Sequence, residues 1–377
     1  MSEQVVLTQE KKVRDSNIEL FRIITMLLII AHHYVVNSDV LRLANLDPLS
    51  YKSIFLYLFG AWGKIGINCF VLITGYFMCK SHITAKKFVK LLFEVMFYRI
   101  MIYIIFWVVG YEAFSIKGLV KAILPVTSVK QNFTGTYLIF FLCIPFLNIL
   151  ISNLNEKQHI RLLLISLFTY VFFGTFKFFP VSMNYVSWYI VLYFISSYVR
   201  LYPKDAFSSK KLWGWMMVLS VLLCAVSVVS ATWLGGKLDK DLTYYFVTDS
   251  NTFLAVFCGF SSFMFFKNLH IKPSKFINAV SATTFGVFLI HSNSATMRTW
   301  LWKDLLDNCG AFVSKWMPLH AVGSVIGIFI VCATIDYVRI VCLERPFFKW
   351  WDRKFPTLAE KIARLEEKLC QKFHINN

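Results

Sequence analysis

The sequence predicts an all-α polytopic membrane protein of about ten transmembrane helices, with both termini cytoplasmic and an amphipathic helix at the C-terminus. Three observations predict it. Of the 377 residues, 57% are hydrophobic and only 16% charged, against roughly 45–50% and about 25% in soluble domains. The mean hydropathy is +0.60. The apolar residues fall in runs close to the roughly 20 residues that cross a hydrocarbon core of about 30 Å, and Lys and Arg punctuate those runs.

Residues 1–16 are polar and read as a cytoplasmic segment. The first apolar run, 17–37, is too long for a signal peptide and lacks a small-residue cleavage site, so a retained helix is expected. Nine further runs follow near 54–79, 89–110, 134–151, 160–177, 185–200, 212–234, 250–266, 276–297 and 320–344, the fourth and sixth of the ten being short. The connecting segments on the N-terminal side carry more than twice the Lys and Arg of those on the other side. Cytoplasmic loops carry that excess, which puts both termini inside. Trp62, Trp213, Trp215, Trp233, Trp300, Trp302, Trp350 and Trp351 stand near helix ends and fit an interfacial belt. Glu344 and Arg345 before Pro346 read as a helix stop at the inner interface. One transmembrane domain, 17–346, therefore accounts for most of the chain. The tail, 347–377, is cytoplasmic: Leu358, Ile362, Leu365, Leu369 and Phe373 recur at helical spacing, which suits a membrane surface.

Several function classes drop out. The net charge of +18 is spread between apolar runs, so no nucleic-acid partner is expected. The nine cysteines are scattered and no CxxC occurs, which suggests neither a metal site nor a disulfide framework. There is no GxSxG, P-loop, HExxH or strand-borne GxGxxG.

The polar residues inside the apolar runs carry the functional reading, because each ionisable group there costs at least a few kcal/mol. The first run holds Asp15, Glu19, Arg22, His32 and His33. Arg22 and His33 are eleven residues apart, so they share a helix face and lie roughly 16 Å apart along it. His32 points about 100° away. Arg22 is read either as an ion-pair partner of Glu19 or Asp15 or as part of a site. An imidazole with a pKa near 6.5 suits general-base work. In the second run, Lys64 and Asn68 lie one turn apart among glycines. Lys80, Lys86, Lys87 and Lys90 form a basic cluster, either ordinary topology signal or an anion site for a phosphorylated cofactor. Glu94 and Arg99 are expected to pair with each other. Trp188 and Tyr189 read as core or as a sugar platform, and His291 closes the ninth run.

These blocks have a familiar order. IELFRIITMLLIIAHHY (18–34), with Arg22 and His33, resembles the opening helix of the acyltransferase 3 family of integral-membrane acyltransferases. WGKIGINCFVLITGYFM (62–78), SWYIVLYFISSYVRLYP, TFGVFLIHSN and LERPFFKW are similar to later family blocks, so the resemblance covers about residues 14–352. Many members carry an Arg-x-x-Arg motif after the second helix; here Lys87 and Lys90 stand at that spacing, keeping the charge but losing the bidentate fork.

The resemblance implies about ten transmembrane helices and an O-acyltransferase. It would move an acyl group, acetyl before others, from cytoplasmic acetyl-CoA to a hydroxyl of a surface polysaccharide, an exopolysaccharide or a lipid-linked glycan precursor. The catalytic residues would be His33, Arg22 and His291. The acyl-CoA donor would meet Lys86, Lys87, Lys90 and Arg22, and the acceptor Asn68, Lys64 and Trp188. The expected location is a bacterial plasma membrane, with the lipid bilayer as partner. The alternative is a transporter or flippase of a lipid-linked glycan or small anion, for which intramembrane charges and glycine-broken helices are equally expected. Such a protein should show internal repeats, and none is evident.

Overall fold

The computed structural model describes residues 15–81, 83–127, 133–176 and 183–354. Among these no strand occurs, and each of the ten apolar runs is helical. The helices that matter below are α1 (Ser16–Val36), α2 (Tyr51–Gly60), α3 (Gly63–Met78), α4 (Ala85–Val108), α5 (Phe133–Ser152), α6 (Glu156–Leu167), α7 (Tyr185–Leu201), α8 (Lys210–Leu238), α9 (Phe253–Lys267), α10 (Lys275–Ser281), α11 (Thr284–His291), α12 (Ala295–Thr299), α13 (Met317–Arg339) and α14 (Arg345–Lys354). Their starts follow local chemistry. Ser50, Thr84, Asn184, Ser209 and Ser274 each cap a helix by accepting a backbone N–H three residues on. Asn155 and Gln158 form a reciprocal capping box at α6.

Among the described residues, seven helices are long and apolar enough to cross a membrane, counting Tyr51–Met78 as one. Ten were expected. The difference lies in α7, α9 and the ninth run. α7 has 17 residues and α9 has 15. The ninth run is broken into α10 and α11. α7 is largely buried by its neighbours, so full bilayer length is not imposed on it by lipid contact. At the other extreme, α8 exposes Val218, Leu219, Leu222 and Val226 along its outer side.

α1 is the hub. It packs against α2, α3, α9, α10, α11 and α13. Ile18, Phe21, Met26, Ile29, Ile30 and Tyr34 fill its buried sides. Close approach to α3 depends on Gly63, where a Cβ would overlap the His32 ring.

Three local expectations change. Pro346 does not stop the last helix. α13 passes through a π-helical turn, Ile340–Glu344, and continues as α14. The proline sits at the second residue of α14, where its missing N–H falls at the switch in hydrogen-bond pattern. Glu94 and Arg99 do not pair: Glu94 binds Arg339, and Arg99 donates to the Lys121 carbonyl. Trp302 is no belt residue, being fully buried against Tyr34. The apolar stripe Leu358–Phe373 lies outside the described residues.

Candidate active site

A cavity of about 720 Å³ runs between α1, α3, α4, α5 and α11. Arg22, His32 and His33 from α1 all line it, so the face inferred from spacing is the cavity wall. The wall also holds Lys64 from α3, Glu94 and Arg99 from α4, Tyr137 from α5, Tyr185 from α7, Phe288 from α11, and Ser292, Asn293 and Arg298 beyond it.

The two histidines of α1 are held differently. His33 Nδ1 lies 2.9 Å from His291 Nε2. His291 Nδ1 lies 2.6 Å from the Val287 carbonyl, one turn back on α11. A carbonyl only accepts, so His291 Nδ1 carries the proton and donates. With His291 neutral, its Nε2 is then the acceptor and His33 Nδ1–H the donor. His33 Nε2 is left as a lone pair with no hydrogen-bond partner among the described residues. His291 is fully buried and does not line the cavity. Its hydrogen bond to the site runs through His33, and its ring packs edge-on against Phe288 of the wall. His32 follows the same rule on another partner: Nδ1 donates to the Gly60 carbonyl at 2.6 Å. Spacing turned His32 away from the His33 face, yet the cavity is wide enough to include it.

At the other end of the cavity lies a dense ionic cluster. Arg339 is 3% exposed and binds three carboxylates. Its Nε is 2.6 Å from Asp336, Nη1 is 2.8 Å from Glu344, and Nη2 is 3.0 Å from Glu94. Lys90 adds a 2.6 Å contact to Glu344, and the Tyr98 hydroxyl donates to Asp336 at 2.7 Å. Asp336 sits against Gly286, where a Cβ would overlap its carboxylate. α4, α11 and α13 are thereby locked together around the cavity floor. Arg22 is more loosely tied, with Nε 3.9 Å from Glu19, whose carboxylate accepts from Ser281.

A family model described as an acyltransferase domain, acyltransferase 3, matches residues 15–337. The chain belongs to that acyltransferase family. No curated protein and no solved structure matches it. Family and apolar helices together make it a multi-pass membrane protein. The matched region contains Arg22, His33 and His291 and stops just short of Arg339 and Glu344.

In this acyltransferase the remaining expected site residues separate into two groups. Lys64 is on the cavity wall, with Nζ 2.6 Å from the Tyr185 hydroxyl. Asn68 and Trp188 are not on that wall. Asn68 Nδ2 donates to the Ser250 and Ala255 carbonyls at 2.7 and 3.2 Å, and its Oδ1 accepts from Trp188 Nε1 at 2.9 Å. Both side chains are fully buried with their polar groups engaged, so they tie α3, α7 and the start of α9 together. The three lysines after the second run also stand off the wall. Lys86 pairs with Asp352 at 2.7 Å, Lys90 with Glu344, and Lys87 donates to Ser81 at 2.9 Å. A separate cleft of about 610 Å³ near the N-terminal end of α1 is lined by Asn17, Tyr76, Lys267, His270 and Lys272. Arg298 and Tyr185 were not singled out in the sequence. An arginine just past an apolar run was the available signal for the former.

Proposed function

We propose that this acyltransferase moves an acetyl group from cytoplasmic acetyl-CoA to a hydroxyl of an exported or cell-surface polysaccharide, or its lipid-linked precursor, at a bacterial plasma membrane. The observation that carries this reading is His33, backed by His291, on the wall of a cavity whose far end bears Arg22. Along α1 the two ends lie roughly 16 Å apart, which suits a donor with a charged nucleotide at one end and a neutral thioester at the other. Arg22 would face the phosphate-bearing part of the donor. Lys86, Lys87 and Lys90 would guide it in, each after exchanging its present partner.

His33 Nε2 would take the proton from the acceptor hydroxyl as its oxygen attacks the thioester carbonyl. Collapse of the tetrahedral intermediate breaks the carbon–sulfur bond. The departing CoA thiolate takes the proton from the His33 imidazolium. The imidazolium is stabilised through its Nδ1–H bond to His291, as an orienting partner does in a catalytic triad. His291 is thus a positioning residue, held by the Val287 carbonyl. Asn68 is fully engaged elsewhere and is not needed in this scheme. The transporter alternative loses support from the family membership.

The test uses purified protein in lipid nanodiscs with radiolabelled acetyl-CoA and surface polysaccharide from the producing cells. Label should move to polysaccharide with wild type. The His33→Ala variant should bind acetyl-CoA and transfer none. Transfer retained by a well-folded His33→Ala protein overturns the mechanism.

A further inference from the structure

The charges on the cavity wall do not balance. Arg22, Lys64, Arg99 and Arg298 line it, against Glu94 as the one carboxylate among the described lining residues, and Glu94 is taken by Arg339. Two of the four cations, Lys64 and Arg298, lie toward the His33 end. Lys64 has a phenol for a partner, with Nζ also 5.4 Å from the centre of the same Tyr185 ring. Arg99 donates to one carbonyl, and its Nε has no partner. Arg298 is half-buried, and among the described residues its guanidinium makes no hydrogen bond or ion pair. Lys64 and Arg298 are both close enough to His33 to act on it electrostatically. Cations at membrane depth are costly and normally find a counter-charge or water.

The donor does not supply that counter-charge. All formal charge on acetyl-CoA is at its nucleotide end, and the acetyl group beside His33 is neutral. We infer that the His33 end of the cavity recognises an anionic group, a carboxylate or a phosphate, on the acceptor glycan, with Lys64 and Arg298 as its ligands. This rests on the acyltransferase reading and narrows it to anionic glycans. Uronic-acid polymers and phosphate-bearing glycans have the required chemistry. The anion fixes the sugar so that one hydroxyl meets His33 Nε2. Neutral sugars lack that anchor.

Binding is measured on the full chain in nanodiscs by thermal unfolding, with methyl β-glucuronide, glucose 1-phosphate and neutral methyl β-glucoside as probes. Acetyl-CoA binding is followed in the same samples. The two anionic sugars should raise the unfolding temperature and the glucoside should not. Lys64→Gln and Arg298→Gln should each weaken the anionic sugars by about tenfold, the loss expected for one charge-assisted hydrogen bond, with acetyl-CoA affinity unchanged. Protein that binds acetyl-CoA but responds equally to all three sugars, or to none, overturns the inference and leaves the acyltransferase reading intact. Failure to bind acetyl-CoA or any other acyl-CoA instead strikes that reading. A succinyl-CoA arm separates the two sources of an anion. If the variants weaken succinyl-CoA and leave the anionic sugars unchanged, the cations serve a carboxylate on the acyl group and the acceptor assignment is wrong. A fall in kcat that is equal for charged and neutral acceptors, with unchanged KM, assigns the cations to the oxyanion instead and also overturns it.

Discussion

The two ends of the cavity use charge in opposite ways. At the Arg22 end, Arg339, Lys90 and Glu94 belong to one closed network, in which every charged side chain touches an opposite charge. Toward the His33 end, the Lys64 side chain has a phenol for a partner and the Arg298 guanidinium has none among the described residues. Paired buried charge fixes helices in place. Removing one member strands the others, so such clusters act as structural locks. Unpaired charge beside a neutral, hydrogen-bonded histidine pair leaves binding capacity open to a ligand. One cavity therefore joins a rigid end to a receptive one.

The largest effect should follow from breaking the floor. Arg339→Met strands Glu94 and leaves Asp336 with Tyr98 and Glu344 with Lys90, at a cost of about 3–5 kcal/mol. Little monodisperse protein should survive detergent extraction, as size-exclusion chromatography would show. A well-folded Arg339→Met protein would mean that the floor is not a lock. At the His33 end, His33→Ala should lose at least about 10²–10⁴ in kcat, enough to abolish measurable transfer, while its unfolding temperature stays near wild type. His291→Phe keeps bulk but removes the acceptor for His33 Nδ1–H. Its kcat should fall at least about tenfold, with a displaced pH–rate profile and little change in the KM for acetyl-CoA. An unchanged pH profile would make His291 a packing residue only.

Smaller effects test the boundary between site and scaffold. Asn68→Ala takes away the partner of Trp188 Nε1 and of the Ser250 carbonyl, each worth about 1–3 kcal/mol when buried, and a second bond to the helical Ala255 carbonyl. Its unfolding temperature should drop while the acceptor KM holds; a raised acceptor KM at normal stability would return Asn68 to the binding site. Smallest of all is the exposed Asp39–Lys303 pair at 2.9 Å. Its hydrogen bond to Lys303 holds the Asp39 carboxyl below the usual range. Any stability from it is present above the unfolded-state pKa and fades as pH falls through the lower folded value. Because the pair is open to solvent and screened, Asp39→Asn should leave the unfolding temperature unchanged at neutral pH.

The Arg22–His33 face was legible because both residues lie on one helix, where 3.6 residues per turn fixes relative direction. The same arithmetic misjudged His32. Cavity width is set by α3 and the Gly60 carbonyl, which no α1 periodicity contains. Glu94 and Arg99 are five residues apart and looked like a local pair, yet the stronger partner for Glu94 came from α13. Asn68 and Trp188 looked like binding residues because polar and aromatic groups in a span are conspicuous. Only the approach of α7 and the start of α9 shows that they satisfy one another.

By itself the sequence determined the helical class, the membrane setting, the family resemblance and the axis along which Arg22 and His33 are arranged. These follow from hydropathy and from periodicity within single segments. Tertiary structure decided that His291 reaches His33, that Arg339 gathers three carboxylates, and that Lys64 and Arg298 meet no opposite charge among the described residues. Those facts depend on which helices become neighbours and how far apart they stand, and packing between distant segments sets both.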